Sequence, residues 1–261
     1  MIEENLIQDK IAIPAKNPQI SRPRLIRLLT ENLFSANATI INGRAGTGKT
    51  LLAADFARRA RRAVAWYKVD ATDDDLLLFF AYLVTTIRLQ RPTINAGHLL
   101  KLSETVRSDS AELLADAVVF QLDETKGEPL LIVIEDLHLV YDADWVVPFF
   151  RRWLPLLPPD VHVLITCRSL PPNPLWRLRS KQMLRVVEEN ELAFTPDETI
   201  ALFESCGLSD EQARLAWART NGKVSALLDS ATLPVRAGAA AGDRTLLPPR
   251  AQFSLAPDMQ S

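Results

Sequence analysis

Eight consecutive residues carry the clearest chemistry in this chain: Gly43, Arg44, Ala45, Gly46, Thr47, Gly48, Lys49 and Thr50. Their pattern is G-x-x-x-x-G-K-[ST]. In a loop of this kind the backbone N–H groups cradle the α- and β-phosphates of a nucleotide. The lysine reaches the β- and γ-phosphates, and the last hydroxyl ligates Mg²⁺. The pattern works only where a strand enters it and a helix leaves it. Here Ala38-Thr39-Ile40-Ile41-Asn42 precedes it, short, β-branched and apolar, as expected of a buried parallel strand. Leu51 to Ala57 follows, rich in helix formers. A bare glycine turn with a solvated lysine would need neither flank. The expected ligand is therefore ATP with Mg²⁺, with all eight residues as the binding set.

A second constellation fits the first. Pro129 to Ile134 is an apolar run that closes on Glu135-Asp136. A fully apolar strand ending in acids is expected of a central parallel strand with its carboxyl end at a metal. Glu135, with Thr50, is the candidate metal ligand, and Asp136 the candidate catalytic group that polarises the attacking water. Arg168 follows the strand Val161 to Thr166, from where its guanidinium can reach a γ-phosphate. A surface arginine and a solvated acid pair would look the same in sequence. His138, three residues after Glu135, reads equally as a loop-packing or an active histidine. Arg58, Arg59, Arg61 and Arg62 read as cations complementing a helix C-terminus.

The elements that must hold these residues alternate strand and helix, which predicts a doubly wound parallel α/β sheet. Residues 1–20 read as a leader with little periodicity. A helix starts at Ser21-Arg22-Pro23, strands cover 63–70 and 161–166, and a helix runs Leu76 to Gln90 after an acidic start at 72–75. Residues 91–101 read as a loop, with Pro92, Asn95 and Gly97, and Ser108 or Ser110 caps a helix through Leu122. Pro171-Pro172-Asn173-Pro174 reads as a chain break before a short strand at 183–187 and a helical region. The expected organisation is a leader (1–20), an ATPase core (21–170), a helical lid (171–233) and a disordered tail (234–261) of Ala, Gly, Arg and Pro without apolar period.

Composition sets the outer limits. With 261 residues, 48% of them hydrophobic, the chain can bury a sizeable core. A net charge of −2, from 30 Lys+Arg against 32 Asp+Glu, argues against a general nucleic-acid surface. The two cysteines, Cys167 and Cys206, have no metal-ligand spacing, as expected of a reduced compartment. The acidic start and the short hydrophobic runs predict a cytoplasmic chain without membrane contact.

Spaced motifs from about residue 13 to 230 resemble the ATPase module of MalT-type large ATP-binding LuxR regulators, a group within the STAND class of signal-transduction ATPases. They include Ile13-Pro14-Ala15-Lys16, Arg22-Pro23-Arg24-Leu25, the glycine loop, Ala65 to Asp70 and Phe80-Ala81-Tyr82-Leu83. Glu135-Asp136-Leu137-His138, Cys167-Arg168-Ser169-Leu170-Pro171 and Glu191 to Glu198 complete the series. The resemblance implies a nucleotide-binding oligomerisation module: an ATPase core plus a small helical domain, self-associating with ATP and resting with ADP. The family's layout adds sensor repeats and a DNA-binding helix-turn-helix, which the stretch ending at Ser261 does not show, so no direct DNA binding is expected of it. Glu135 stands where the family has Asp. Asn221-Gly222-Lys223-Val224 stands where it has a Gly-Trp-Pro or Gly-Trp-Ala step. The expected function is an ATP-binding, slowly hydrolysing switch of a transcriptional regulator. The alternative is a P-loop kinase or motor ATPase with true turnover, for which Arg177, Arg179 and Arg185 are the candidate lid cations.

Overall fold

The computed structural model describes residues 7–105 and 111–232. The expected caps Ser108 and Ser110 and the expected disordered tail lie outside the described residues. Five parallel strands form one sheet: β1 (Ala38–Asn42), β2 (Ala63–Lys68), β3 (Leu130–Glu135), β4 (Val161–Cys167) and β5 (Leu184–Val187). Their spatial order is β2-β3-β4-β1-β5. β4 lies between β1 and β3, with Ile40 opposite Ile165 and Ile165 opposite Ile134. The carboxyl ends of β1, β3 and β4 therefore sit side by side.

Strand side chains alternate between two buried faces. Leu130, Ile132 and Ile134 of β3 pack with one cluster, and Leu131 and Val133 with the other. The second face is covered by α1 (Pro23–Ser35) and α2 (Lys49–Arg59) through Leu25, Leu29, Leu52 and Phe56. The first is covered by α3 (Leu76–Gln90), α4 (Ala96–Thr105), α5 (Ala111–Glu124), α6 (Val146–Trp153) and α7 (Asn173–Ser180). Its centre is aromatic: the rings of Phe79 and Trp145 lie 4.6 Å apart, and Phe149 meets Phe150 edge-on at 5.4 Å. Helices on both faces of a parallel sheet make the doubly wound α/β class.

Two stretches expected to be irregular are helical. The 91–101 region contains the start of α4, because the Asn95 side chain accepts the His98 N–H at 3.0 Å and starts the helix, while Leu99 is buried. The proline stretch at 171–174 starts α7 instead of only breaking the chain, since a proline in the first turn removes an N–H that has no helical partner anyway. β5 pairs with β1 from Ala38↔Leu184 to Ile41↔Val187. The sheet thus runs past the boundary expected at residue 170. Beyond it, α8 (Pro196–Ser205), α9 (Asp210–Thr220) and α10 (Val224–Thr232) form a separate cluster around Phe194, Leu202, Phe203 and Leu227. Reciprocal capping boxes start two of these helices, Thr195 with Glu198 and Ser209 with Gln212.

The expected leader is pinned from residue 7 onward. Lys10 is buried, 2.7 Å from both Asp70 and Asp73, and its ammonium lies 4.8 Å from the Tyr82 ring centre. Ser21 donates to Asp55 on α2 at 2.7 Å. Residues 7–22 form a strap leading from the β2 side of the molecule to α1.

Candidate nucleotide site at the carboxyl ends of β1, β3 and β4

The glycine loop joins β1 to α2. Gly48 precedes the helix in a left-handed conformation (φ 83°) that a side chain would strain, and its carbonyl accepts the Leu52 N–H at 2.9 Å. Thr47 folds back and donates to the Arg44 carbonyl at 2.9 Å. Lys49 is 6% exposed and donates to the carbonyls of Gly43 (2.5 Å) and Arg44 (2.9 Å). No carboxylate pairs with it among the described residues. Burial lowers its pKa, Asp136 opposes the shift and Arg168 adds to it. A buried ammonium at a helix N-terminus, bonded to carbonyls alone, fits the mouth of this loop to an anion.

Thr50 begins α2 beside Lys49 and donates to Glu135 Oε1. Glu135 ends β3, 2% exposed, and its second oxygen is buried without a hydrogen-bond partner among the described residues. Burial raises its pKa, the Thr50 bond counteracts this and the charge of Asp136 adds to it. An orphaned buried carboxylate oxygen beside a hydroxyl fits a hard cation with oxygen ligands. Among the described residues no three His, Cys, Asp or Glu side chains are arranged to hold a metal by themselves. Thr50 and Glu135 fit two of the oxygen ligands that a hard cation such as Mg²⁺ would need, and would hold it only with further oxygens that these residues do not supply.

Asp136 follows β3 with φ 58° and ψ 33°, a left-handed conformation uncommon for a residue with a side chain. Its N–H donates to Thr166 Oγ1 at 3.0 Å. Its carboxylate does not cap the 3-10 turn Leu137–Val140 that follows. Asp136 Oδ1 instead lies 3.8 Å from both His138 Nδ1 and Arg168 Nε. Burial lowers the His138 pKa against the opposing charge of Asp136, and Nδ1 has no hydrogen-bond partner among the described residues. The structure thus brings Thr50, Glu135, Asp136, His138 and Arg168 together next to Lys49.

At this edge Glu189 carried no signal in the sequence, and Arg22 and Glu198 carried one only as parts of resemblance motifs. Glu189, just after β5, accepts the Arg44 N–H at 2.9 Å and binds the Arg44 guanidinium at 2.7 Å. This pair ties the loop to the segment that leads to α8. Arg22 donates to the Leu192 carbonyl (2.9 Å) and to Glu198 (3.1 Å), and stacks on the Phe194 ring. Two cavities flank the loop. One of about 650 Å³ lies between Arg44–Thr47, Glu189 and the α9–α10 turn at Lys223. The other, about 380 Å³ and mostly apolar, lies between strap residues 16–20, Leu51 and Leu52 of α2, Phe194 and Val224. Three of the four arginines after the loop are occupied: Arg59 pairs with Asp55 at 2.7 Å, and Arg58 and Arg62 donate to the carbonyls of Pro14 and Asp160.

Over 208 residues the chain is 31% identical to the HTH-type transcriptional regulator MalT of Yersinia enterocolitica, covering 78% of this chain and 22% of the relative. The chain resembles the MalT regulators. The MalT of Vibrio cholerae is 29% identical over 199 residues, 76% of this chain and 21% of its own length. The chain thus spans about a fifth of the length of the MalT relatives it matches. No protein-family model matches it. Among solved structures, a Walker-type ATPase of Pyrococcus abyssi aligns over 84% of this chain and 70% of its own, with a TM-score of 0.50 and 9% identity. The Orc1 protein of Aeropyrum pernix, solved in complex with DNA, covers 83% and 60%, with a TM-score of 0.50 and 16% identity. The fold is that of the P-loop ATPases. Among the described residues no helix is long and apolar enough to cross a membrane.

Proposed function

We propose that this chain is the ATP-binding switch module of a transcriptional regulator, using slow Mg²⁺-dependent hydrolysis to change state. The observation that carries the reading is Lys49, buried at the mouth of the glycine loop with only carbonyl partners. An incoming polyphosphate replaces those carbonyls with charge-assisted bonds, which are the stronger kind. Gly43 to Thr50 hold the phosphates through backbone N–H groups and the α2 N-terminus. The mostly apolar cavity between the strap, α2 and α8–α10, with Leu51 and Phe194 in its lining, would take the base. Thr50 and Glu135 would hold Mg²⁺, which would supply neutralisation of the phosphate charge. Asp136 orients the attacking water and Arg168 approaches the γ-phosphate. The Arg44–Glu189 pair and the lid turn at Lys223 border the loop, so occupancy of the loop bears on how α8–α10 sit over it. STAND-type behaviour follows: self-association with ATP and a resting form with ADP.

The test compares sedimentation of the chain with Mg-ATP, Mg-ADP and no nucleotide, alongside steady-state hydrolysis with and without phosphate acceptors. Larger species with ATP and turnover slower than about once per second, the low end of ordinary kcat values, support the switch. Identical sedimentation in all three states with acceptor-dependent turnover supports the kinase alternative.

A further inference from the structure

We propose that Thr166 is the positioning residue for Asp136, acting through the backbone and not on the nucleotide itself. This rests on the reading of Asp136 as the water-orienting group. Thr166 is fully buried in β4, one strand away from both β1 and β3. Its Oγ1 accepts the N–H of Asp136 at 3.0 Å, a contact across thirty residues of sequence. Asp136 there has a left-handed backbone that a non-glycine residue keeps only when its surroundings impose it.

The consequence lies in where the carboxylate goes. Residues entering a helical turn commonly spend their side chain on its free N–H groups. Asp136 does not: the turn after it has no side-chain cap. With its N–H held sideways by Thr166, its Oδ1 stands 3.8 Å from both His138 Nδ1 and Arg168 Nε. At these distances both contacts are of ion-pair length and too long to be hydrogen bonds, which leaves the carboxylate lone pairs able to accept from a water. The end of β4 supplies both neighbours. Thr166 lies one residue before the end of β4 and Arg168 just beyond it, whereas the Cys167 thiol between them lies in a buried site 3.5 Å from Asn42 Oδ1. One strand end therefore contributes both the group that sets the Asp136 backbone and the cation beside its carboxylate.

In the hydrolysis this geometry serves, the water oxygen bonds to the γ-phosphorus and the bond to the bridging oxygen breaks. ADP takes that electron pair, and the water proton passes to the Asp136 carboxylate and on to phosphate. Thr166 touches none of these atoms. Its loss should therefore change the chemical step and leave nucleotide affinity in place.

The experiment uses the full chain with Thr166→Val, which removes the hydroxyl at similar size, Thr166→Ser, which keeps it, Asp136→Asn, and the Thr166→Val/Asp136→Asn double variant. Melting curves first establish that each is folded. Equilibrium binding of Mg-ATP and single-turnover hydrolysis of radiolabelled ATP are then measured, with hydrogen exchange of the Asp136 amide as a readout independent of activity. Thr166→Val should bind Mg-ATP within about 2-fold of wild type and hydrolyse it at least ~10-fold more slowly, the scale of a misplaced acid–base group. Its Asp136 amide should exchange faster. Thr166→Ser should restore both rate and protection, and the double variant should be no slower than Asp136→Asn alone. Equal rates in wild type and Thr166→Val overturn the proposal, as does a further loss in the double variant. Undetectable hydrolysis in every protein, with binding intact, also overturns it while leaving the nucleotide-site reading standing. Absent binding in wild type instead removes that reading.

Discussion

The strap makes a quantitative test of how the site is assembled. Lys10 reaches Asp73, whose side chain is fully buried, and Asp70, and it lies over the Tyr82 ring. Burial works against the ammonium, but the bonds to Asp70 and Asp73 outweigh it and hold its pKa above the ordinary 10.5. A raised lysine pKa means that this contribution is fully present below pH 10.5 and is lost only at higher pH. Lys10→Met keeps the stem against Tyr82 and removes the charge, leaving Asp73 buried without its cation. Breaking such a pair from one side costs about 3–5 kcal/mol. At about 2–4 °C per kcal/mol for a domain of this size, the melting temperature should fall by about 6–20 °C. Lys10→Met with Asp73→Leu removes both charges and should recover part of the loss. The recovery is incomplete because Asp73 also accepts the Asp70 N–H at 2.9 Å. Scanning calorimetry at neutral pH measures all three proteins. A loss below about 1 kcal/mol in Lys10→Met, the scale of an exposed pair, would refute the claim that this ion pair anchors the strap.

Three further outcomes follow from particular residues. His162 is buried between Thr39 and the Ala36 carbonyl, and burial lowers its pKa to about 4. The unfolded chain then binds the extra proton as pH falls from 6.5 to 4, so stability drops over that window by up to about 3 kcal/mol. Urea unfolding at stepped pH should show this slope in wild type and lose it in His162→Gln. A Cβ on Gly222 would meet the Phe194 carbonyl oxygen at 2.2 Å, at a φ of +75°. Gly222→Ala should therefore cost about 2–4 kcal/mol and speed hydrogen exchange at Phe194, and an unchanged unfolding midpoint would contradict the packing described. Glu135→Asp shortens the side chain that reaches Thr50. Magnesium titration of ATP binding should show at least ~10-fold weaker dependence on the ion, from lost ligand geometry, whereas an improved dependence would mean that the longer residue detunes the site.

The sequence made the candidate site legible where it is local. A glycine loop between an apolar strand and a helix, and an apolar strand closing on two acids, announce themselves within about ten residues. Their neighbourhood in space follows from parallel topology, which places strand carboxyl ends together. The misreadings have definite causes. Pro172 and Pro174 read as breakers because a proline that starts a helix and one that ends it look alike in a list of residues. Asn95 and Gly97 read as loop, although the Asn95 side chain starts α4. The strand at 184–187 was recognisable, but its pairing with β1 was not, so the sheet extends further than expected. Contacts such as Lys10 with Asp73, Arg44 with Glu189 and Asp136 with Thr166 join residues 63, 145 and 30 positions apart. They leave no periodicity or spacing to read.

The most direct test of the account is the thermal stability of the full chain in Mg-ATP, measured together with Lys49→Met. A ligand bound only to the folded state at 100 times its dissociation constant adds ~2.7 kcal/mol, about 5–11 °C for a domain of this size. Wild type should gain that much in saturating Mg-ATP. Lys49→Met, which keeps the buried stem and loses the ammonium, should gain little while melting near wild type without nucleotide. An unchanged wild-type curve in millimolar Mg-ATP, or a full gain in Lys49→Met, would contradict the assignment of residues 43–50 as a triphosphate site.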